Sequence, residues 1–269
     1  MAWTESMHDL STWTANLLAG SYYAVNAIHT TSQSRGGKMP TSTTVADNLQ
    51  QTREAISTLE TQHNREHGSV QLLAVSKRKP TSLIREAAAS GQRLFGENYA
   101  DEGALKIQEL SDLSLEWHFI GHVQSNKTRL ISKHYDWVQS IERRKIAERL
   151  AAHRPVELPP LNICLQVNVD GETTKSGCPP EQLPELATFV STQERLILRG
   201  IMAIPAPRES ASAQRDVFSQ LHNLFSELKL QHPQLDTLSI GMSGDMPAAI
   251  AEGATMVRIG TAIFGKRDS

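Results

Sequence analysis

From Val45 onward the chain switches repeatedly between short apolar runs and longer amphipathic stretches, and this alternation limits its fold more than any other feature. The apolar runs fall at 71–75, 94–96, 117–120, 137–140, 162–167, 199–203, 237–241 and 256–259, each short enough for one buried strand. Helical stretches lie between them at 82–90, 99–110, 143–152, 180–192, 213–230 and 247–252. Ahead of them, Val45, Leu49, Ile56 and Leu59 recur near helical spacing and predict an opening helix that runs to His67-Gly68. Strict alternation predicts parallel strands, and eight units in about 200 residues predict a closed (β/α)8 barrel, an α/β fold of the TIM type with an extra N-terminal helix. The barrel is expected over 44–269. Residues 1–43, rich in Ser and Thr and without a sustained period, read as an atypical, poorly ordered extension.

Charge and cysteine usage narrow the function. Twenty-seven Lys and Arg stand against 29 Asp and Glu, a formal net charge of −2, so no global field pulls the chain toward nucleic acid or an anionic membrane. Two cysteines, Cys164 and Cys178, supply neither a disulfide framework nor a zinc site, and a reducing cytoplasm is the expected compartment. No apolar run approaches the roughly 18–20 residues of a membrane span, and no basic leader precedes an apolar segment.

In a barrel of this kind ligands bind where the strands end in their C-terminal direction. The ends predicted here carry Ser76-Lys77, Glu97-Asn98, Gly121-His122, Ile141-Glu142, Asn168, Ile204-Pro205, Gly241-Met242-Ser243 and Gly260-Thr261. Two of them, S-I-G-M-S-G-D at 239–245 and R-I-G-T-A-I-F-G at 258–265, are glycine-bearing turns after the seventh and eighth strands. Loops there commonly hold a phosphate: glycine admits the anion to backbone N–H groups, Ser243 and Thr261 add hydroxyls, and a following helix adds its N-terminal dipole. Ordinary turns with Ser243 or Asp245 capping a helix account for the same residues.

Lys77 ends the first strand, in L-L-A-V-S-K-R-K-P. A lysine sheltered from water has a lowered pKa and attacks carbonyls, while a strand-end lysine meeting solvent is the plainer account, and the one that suits Arg78 and Lys79. An aldehyde carrying a phosphate satisfies Lys77 and the glycine loops together, and pyridoxal 5′-phosphate is such a molecule. Arg258, within the last strand, is either paired structurally or aimed at a ligand such as the pyridine nitrogen. His118 and His122 flank a strand and do not form a helical metal pair. Gln124, Ser125 and Asn126 read as a polar loop that caps a following helix, and Lys175 with Ser176-Gly177 as a flexible loop able to reach over the barrel mouth.

The stretches L-A-V-S-K-R-K-P, F-G-E-N-Y, W-H-F-I-G-H-V-Q-S-N-K, T-K-S-G, G-I-M-A-I, L-S-I-G-M-S-G-D-M-P-A-A-I and V-R-I-G-T-A-I-F-G, spread over 45–266, resemble the pyridoxal-phosphate homeostasis proteins. The barrel of that family is similar to the N-terminal domain of alanine racemase. The resemblance implies that Lys77 forms a Schiff base with pyridoxal 5′-phosphate. It implies that Ser243, Gly260 and Thr261 hold the phosphate, that Arg258 lies by the pyridine nitrogen, that Asn98 lines the pocket, and that Met242 is among the cofactor-binding residues. Residues 1–43 have no counterpart in the family pattern.

An arginine at the ring nitrogen disfavours the pyridinium and so disfavours strong electron-sink chemistry. Racemisation needs acid–base groups on both faces of the substrate carbon, and in alanine racemase a tyrosine from an additional C-terminal domain supplies one. No such domain is expected after this barrel; Tyr22 and Tyr23 lie in the extension, and Tyr99 and Tyr135 in or near helices. The expectation is therefore a cytoplasmic, monomeric carrier that holds the cofactor as a lysine aldimine, serves vitamin B6 and amino-acid homeostasis and passes cofactor to dependent apo-enzymes. A weak racemase is the alternative, and a barrel binding another phosphorylated ligand non-covalently is a third reading.

Overall fold

A computed structural model describes residues 44–172 and 175–265. The extension expected over 1–43 lies outside the described residues. The opening helix α1 (Val45–Gln62) starts at a reciprocal cap, in which Thr44 Oγ1 accepts from the Asp47 N–H and Asp47 Oδ2 accepts from the Thr44 N–H, each at 3.1 Å. It ends short of His67 because Glu60 turns inward. The Glu60 carboxylate accepts from the N–H groups of Gly68 (3.0 Å) and Val70 (2.8 Å), pulling the chain out of the helix and into the first strand.

Eight parallel strands follow: β1 (Gln71–Val75), β2 (Leu94–Glu97), β3 (Glu116–Phe119), β4 (Trp137–Ile141), β5 (Leu161–Gln166), β6 (Leu196–Met202), β7 (Thr237–Ser239) and β8 (Met256–Ile259). They pair in chain order and close through β8 on β1. The interleaved helices are α2 (Thr81–Ala89), α3 (Ala100–Glu109), α4 (Thr128–His134), α5 (Arg144–His153), α6 (Leu183–Ser191), α7 (Ala211–Gln231), α8 (Met246–Ala251) and the single turn α9 (Thr261–Phe264). Helix α1 packs across α2, α8 and α9 on the outside of the closing seam. The expected barrel and extra helix are therefore present. The helix expected after Gln124-Ser125-Asn126 is α4, seven residues entered through one 3-10 turn at Ser125–Lys127, but it has no side-chain cap.

Period-two alternation sorts each strand between two cores. Outward residues such as Ala74, Phe95, Phe119, Val138, Ile163 and Leu238 pack under the helices in one large apolar cluster. Inside the barrel the apolar contacts are small and separate, with Leu73, Ile120 and Met256 in one group and Trp137, Cys164 and Met202 in another. The remaining interior is polar: His118, Gln139, Ser239 and Arg258 are all buried on the inner faces of β3, β4, β7 and β8.

Candidate functional site

The closing seam brings the first and last strand ends together. Leu73 pairs with Arg258 and Ala74 with Ile259, so Lys77 and the Gly260-Thr261 turn emerge side by side. A Cβ on Gly260 would lie 3.1 Å from the Val75 carbonyl oxygen, tighter than most side chains tolerate, which explains glycine where the loop crosses β1.

Lys77 is half-buried and sits in a tight turn closed by the Lys79 N–H on the Ser76 carbonyl at 3.0 Å. The next residue, Arg78, has φ 58°, a left-handed conformation that costs a non-glycine residue about 1–2 kcal/mol. Its N–H donates to Glu102 Oε1 at 2.6 Å and its guanidinium lies 5.1 Å over the Tyr99 ring. Arg78 is exposed, as its strand-end position suggests, yet its backbone is held rather than simply solvated.

Asn98 follows β2 at the same end of the barrel, and its Oδ1 is buried and without a hydrogen-bond partner among the described residues. Gly121 packs against it; a Cβ there would fall 2.0 Å from the Asn98 carbonyl oxygen. Across the mouth, Gly241 (φ 92°) turns the chain out of β7 where Ala249 leaves no room for a Cβ. Asp245 Oδ1 accepts from the Met242 N–H at 2.6 Å and the Met242 carbonyl accepts from the N–H groups of Asp245 and Met246. Asp245 thus braces the loop and makes no side-chain cap to α8, although it stands at the N-cap position. Ser243 and Gly244 are left exposed at the tip, and a Cβ on Gly244 would meet nothing within 4 Å. Thr261 opens α9, so its N–H, like that of Ala262, has no carbonyl one turn back to bond.

Arg258 is 4% exposed. One terminal nitrogen donates to the Ser239 carbonyl (2.5 Å) and to Ser239 Oγ (3.0 Å), the other to the Ala203 carbonyl (2.9 Å). All three acceptors are neutral. Burial pushes its pKa down to about 10, which still leaves the guanidinium cationic at neutral pH. A chain of hydrogen bonds continues across the interior: Ser239 Oγ donates to Gln139 Oε1 (2.7 Å), Gln139 Nε2 donates to His118 Nδ1 (2.8 Å), and His118 Nε2 donates to Glu116 Oε1 (2.8 Å). That direction fixes a neutral His118 with its proton on Nε2, and burial lowers its pKa accordingly. Glu116, at the opposite strand end, is half-exposed and held below the usual carboxylate range chiefly by its bond to His118.

A cavity of about 360 Å³ opens at the mouth between Asn98, Gly121, His122, Gln166, Lys175, Ser176, Pro205 and Met242. Lys175 reaches its wall while paired with Asp170 and Glu172, both at 3.2 Å; Thr173 and Thr174 of this loop lie outside the described residues. His122 lies at the mouth and His118 in the barrel interior, and no group of three or more His, Cys, Asp or Glu able to hold a metal occurs among the described residues. Among them too, no helix is long and apolar enough to cross a membrane. Of the residues expected to bind the cofactor, Lys77, Asn98, Met242, Ser243, Gly260 and Thr261 thus end on one face, and Arg258 lies below it inside the barrel. Sequence reasoning missed Gln139 and Ser239; the one available signal was a polar residue at an inward position within an otherwise apolar strand, as in W-V-Q-S-I.

The family model for the N-terminal domain of alanine racemase matches residues 47–268. The pyridoxal phosphate homeostasis protein of Pseudomonas aeruginosa is 54% identical over 225 residues, covering 84% of this chain and 96% of that protein. The one from Escherichia coli K12 is 54% identical over 227 residues, with 83% and 97% covered. Among solved structures, PipY of Synechococcus elongatus with PLP bound is similar at a TM-score of 0.71 and 38% identity, covering 82% of this chain and all of that one. Alanine racemase of Corynebacterium glutamicum shares the fold at a TM-score of 0.61 and 15% identity, over 84% of this chain and 61% of that one. With a closed barrel of this topology and relatives this similar over nearly their whole length, the chain belongs to the pyridoxal phosphate homeostasis protein family, built on the barrel of the alanine racemase N-terminal domain.

Proposed function

We propose that this protein binds pyridoxal 5′-phosphate at the barrel mouth, linked to Lys77, and serves to hold and release the cofactor rather than to turn substrate over. The observation that carries the reading is the closing seam, where an amine-bearing turn and a glycine-rich anion cup emerge next to each other above a buried arginine. The residues fit the molecule. The open tip at Ser243-Gly244 and the free N–H groups at the start of α9 suit a phosphate. Asn98 offers a buried oxygen with no partner among the described residues, and Met242 lines the adjoining cavity.

When bound, the cofactor supplies an aldehyde carbon for an amine to attack and a ring able to take up electron density. The chain's own residues decide how far that chemistry goes. Lys77 provides the amine. Arg258 presents a permanent cation toward the ring, so a proton on the pyridine nitrogen is opposed and electron withdrawal stays weak. Its hydrogen-bond acceptors are all neutral, so no carboxylate pairs directly with it among the described residues.

Racemase chemistry finds less support. Tyr135 is completely buried against Gly103 and Glu97 outside the barrel wall, where burial raises its pKa far above neutrality. Tyr99 lies under the Arg78 guanidinium on the rim. Neither is placed to exchange a proton above the mouth cavity. Delivery to cofactor-dependent apo-enzymes from a monomeric, cytoplasmic carrier completes the proposal. Incubating the loaded protein with L-amino acids and resolving the enantiomers tests it: no product is expected at enzyme-like rates, and turnover of about 1 per second or more refutes the carrier role.

A further inference from the structure

On the outer side of β1 and β2, away from the barrel interior, a buried charged cluster grips the turn that carries Lys77. Glu97 is fully buried, and its Oε1 accepts from Ser76 Oγ at 2.6 Å and from Lys106 Nζ at 2.9 Å. The same ammonium donates to the Ser76 carbonyl at 2.8 Å and to Glu102 Oε1 at 2.6 Å. Glu102 Oε1 in turn accepts from the Arg78 N–H at 2.6 Å. The residue before Lys77 and the residue after it are therefore each tied to a carboxylate, and one lysine of α3 joins the two carboxylates. An apolar core would support strand ends equally well at lower desolvation cost, so three buried or partly buried charges converging on four residues call for another explanation. The turn itself supplies it, since Arg78 stays left-handed at φ 58° only if its surroundings impose that conformation.

We infer that Glu97, Lys106 and Glu102 form a clamp of positioning residues that holds the Lys77 turn in the one conformation from which its amine reaches the cofactor aldehyde. The inference rests on the assignment of Lys77 made above. In the step it serves, the Lys77 amine nitrogen forms a double bond to the aldehyde carbon while its two protons leave with the carbonyl oxygen as water; the clamp residues touch neither partner. Lys106 has a second task. Burial pushes the Glu97 carboxyl up, and the charge of Lys106 is the largest influence opposing that rise.

The full-length protein tests this with Lys106→Met, Glu102→Val and Glu102→Gln, the last retaining an oxygen acceptor for the Arg78 N–H. Glu102 is partly exposed, so its variants fold even if Lys106→Met does not. Three quantities are read: exchange of the Arg78 amide without ligand, the rate of borohydride-trappable attachment of pyridoxal 5′-phosphate, and the affinity for pyridoxine 5′-phosphate, which has no aldehyde. In Lys106→Met and Glu102→Val the amide exchanges at least about tenfold faster and attachment slows by a similar factor, as expected for losing a hydrogen bond to a charged group. Affinity for the alcohol stays within about twofold, since the anion cup is untouched, and Glu102→Gln restores both rates. Faster exchange with unchanged attachment overturns the clamp, as does an equal loss for aldehyde and alcohol. Wild-type attachment at a lysine other than Lys77, found by peptide mapping, overturns the Lys77 assignment itself and this inference with it.

Discussion

Gln139→Leu cuts the polar chain inside the barrel at its midpoint, and its cost can be worked out from the bonds it removes. Gln139 accepts from Ser239 Oγ at 2.7 Å, donates to His118 Nδ1 at 2.8 Å and touches Met256 Sδ at 3.2 Å. Leucine nearly conserves the volume, so the cavity contribution is small. What remains is one hydroxyl and one ring nitrogen, both fully buried and both deprived of a partner. Each such loss costs about 1–3 kcal/mol, and Ser239 recovers part of its share by rotating its hydroxyl, giving roughly 2–4 kcal/mol in all. For a domain of this size that lowers Tm by about 4–16 °C, read by thermal unfolding without ligand. Ser239 also loses its fixed orientation toward Arg258, so affinity for pyridoxal 5′-phosphate falls by about two- to tenfold, one neutral hydrogen bond's worth. A Tm within about 1 °C of wild type would refute the reasoning, because it would mean that these groups find other partners and that the chain is not the support of Arg258.

Other consequences follow from single positions. His118 is held neutral by burial below its ordinary value of 6.5, so the unfolded chain binds the extra proton first; stability is complete above about pH 6.5 and falls as pH drops below it. His118→Gln should flatten that part of the stability–pH profile, measured by urea unfolding at several pH values, and an unchanged slope would place the titration elsewhere. Arg78→Val puts a β-branched residue at φ 58° and should destabilise by about 1–3 kcal/mol in chemical unfolding, whereas Arg78→Gly should stay within about 1 kcal/mol of wild type as relief of strain offsets chain entropy. Equal values for the two variants would remove the argument for strain. Gly200→Ala drives a Cβ to 1.7 Å from the Thr237 carbonyl oxygen, backbone that cannot yield without parting β6 from β7; soluble expression should collapse, and a well-folded variant would contradict the packing described.

The barrel was legible because period-two strands and period-3.6 helices alternate through residues 45–265, and strand order then follows from parallel pairing. The rim was legible for the same reason: Lys77, Asn98, Ser243 and Thr261 all follow apolar runs directly. Two things were hidden. A helix after the Gln124-Ser125-Asn126 loop was expected, but the bounds of α4 were hidden, because it is seven residues long and begins in a 3-10 turn, so T-R-L-I-S-K-H carries almost no helical signal. The partners of the site residues were hidden more thoroughly, because they are set by register and not by spacing. Nothing local says that Ser239 and Gln139, 100 residues apart, share a hydrogen bond, or that Lys106 reaches Ser76 from α3, past the intervening α2 and β2. Arg258 showed only that a charge in a strand needs an explanation; the tertiary structure shows that its partners are carbonyls and a hydroxyl and not a carboxylate.

The central claim is that Lys77 is the covalent handle for the cofactor. Borohydride reduction of the protein loaded with pyridoxal 5′-phosphate, followed by peptide mapping, tests it most directly. A single dominant pyridoxyl label on Lys77 is expected, lost in Lys77→Ala with thermal stability retained. A dominant label on Lys79 or Lys175, or one that persists in Lys77→Ala, would contradict it.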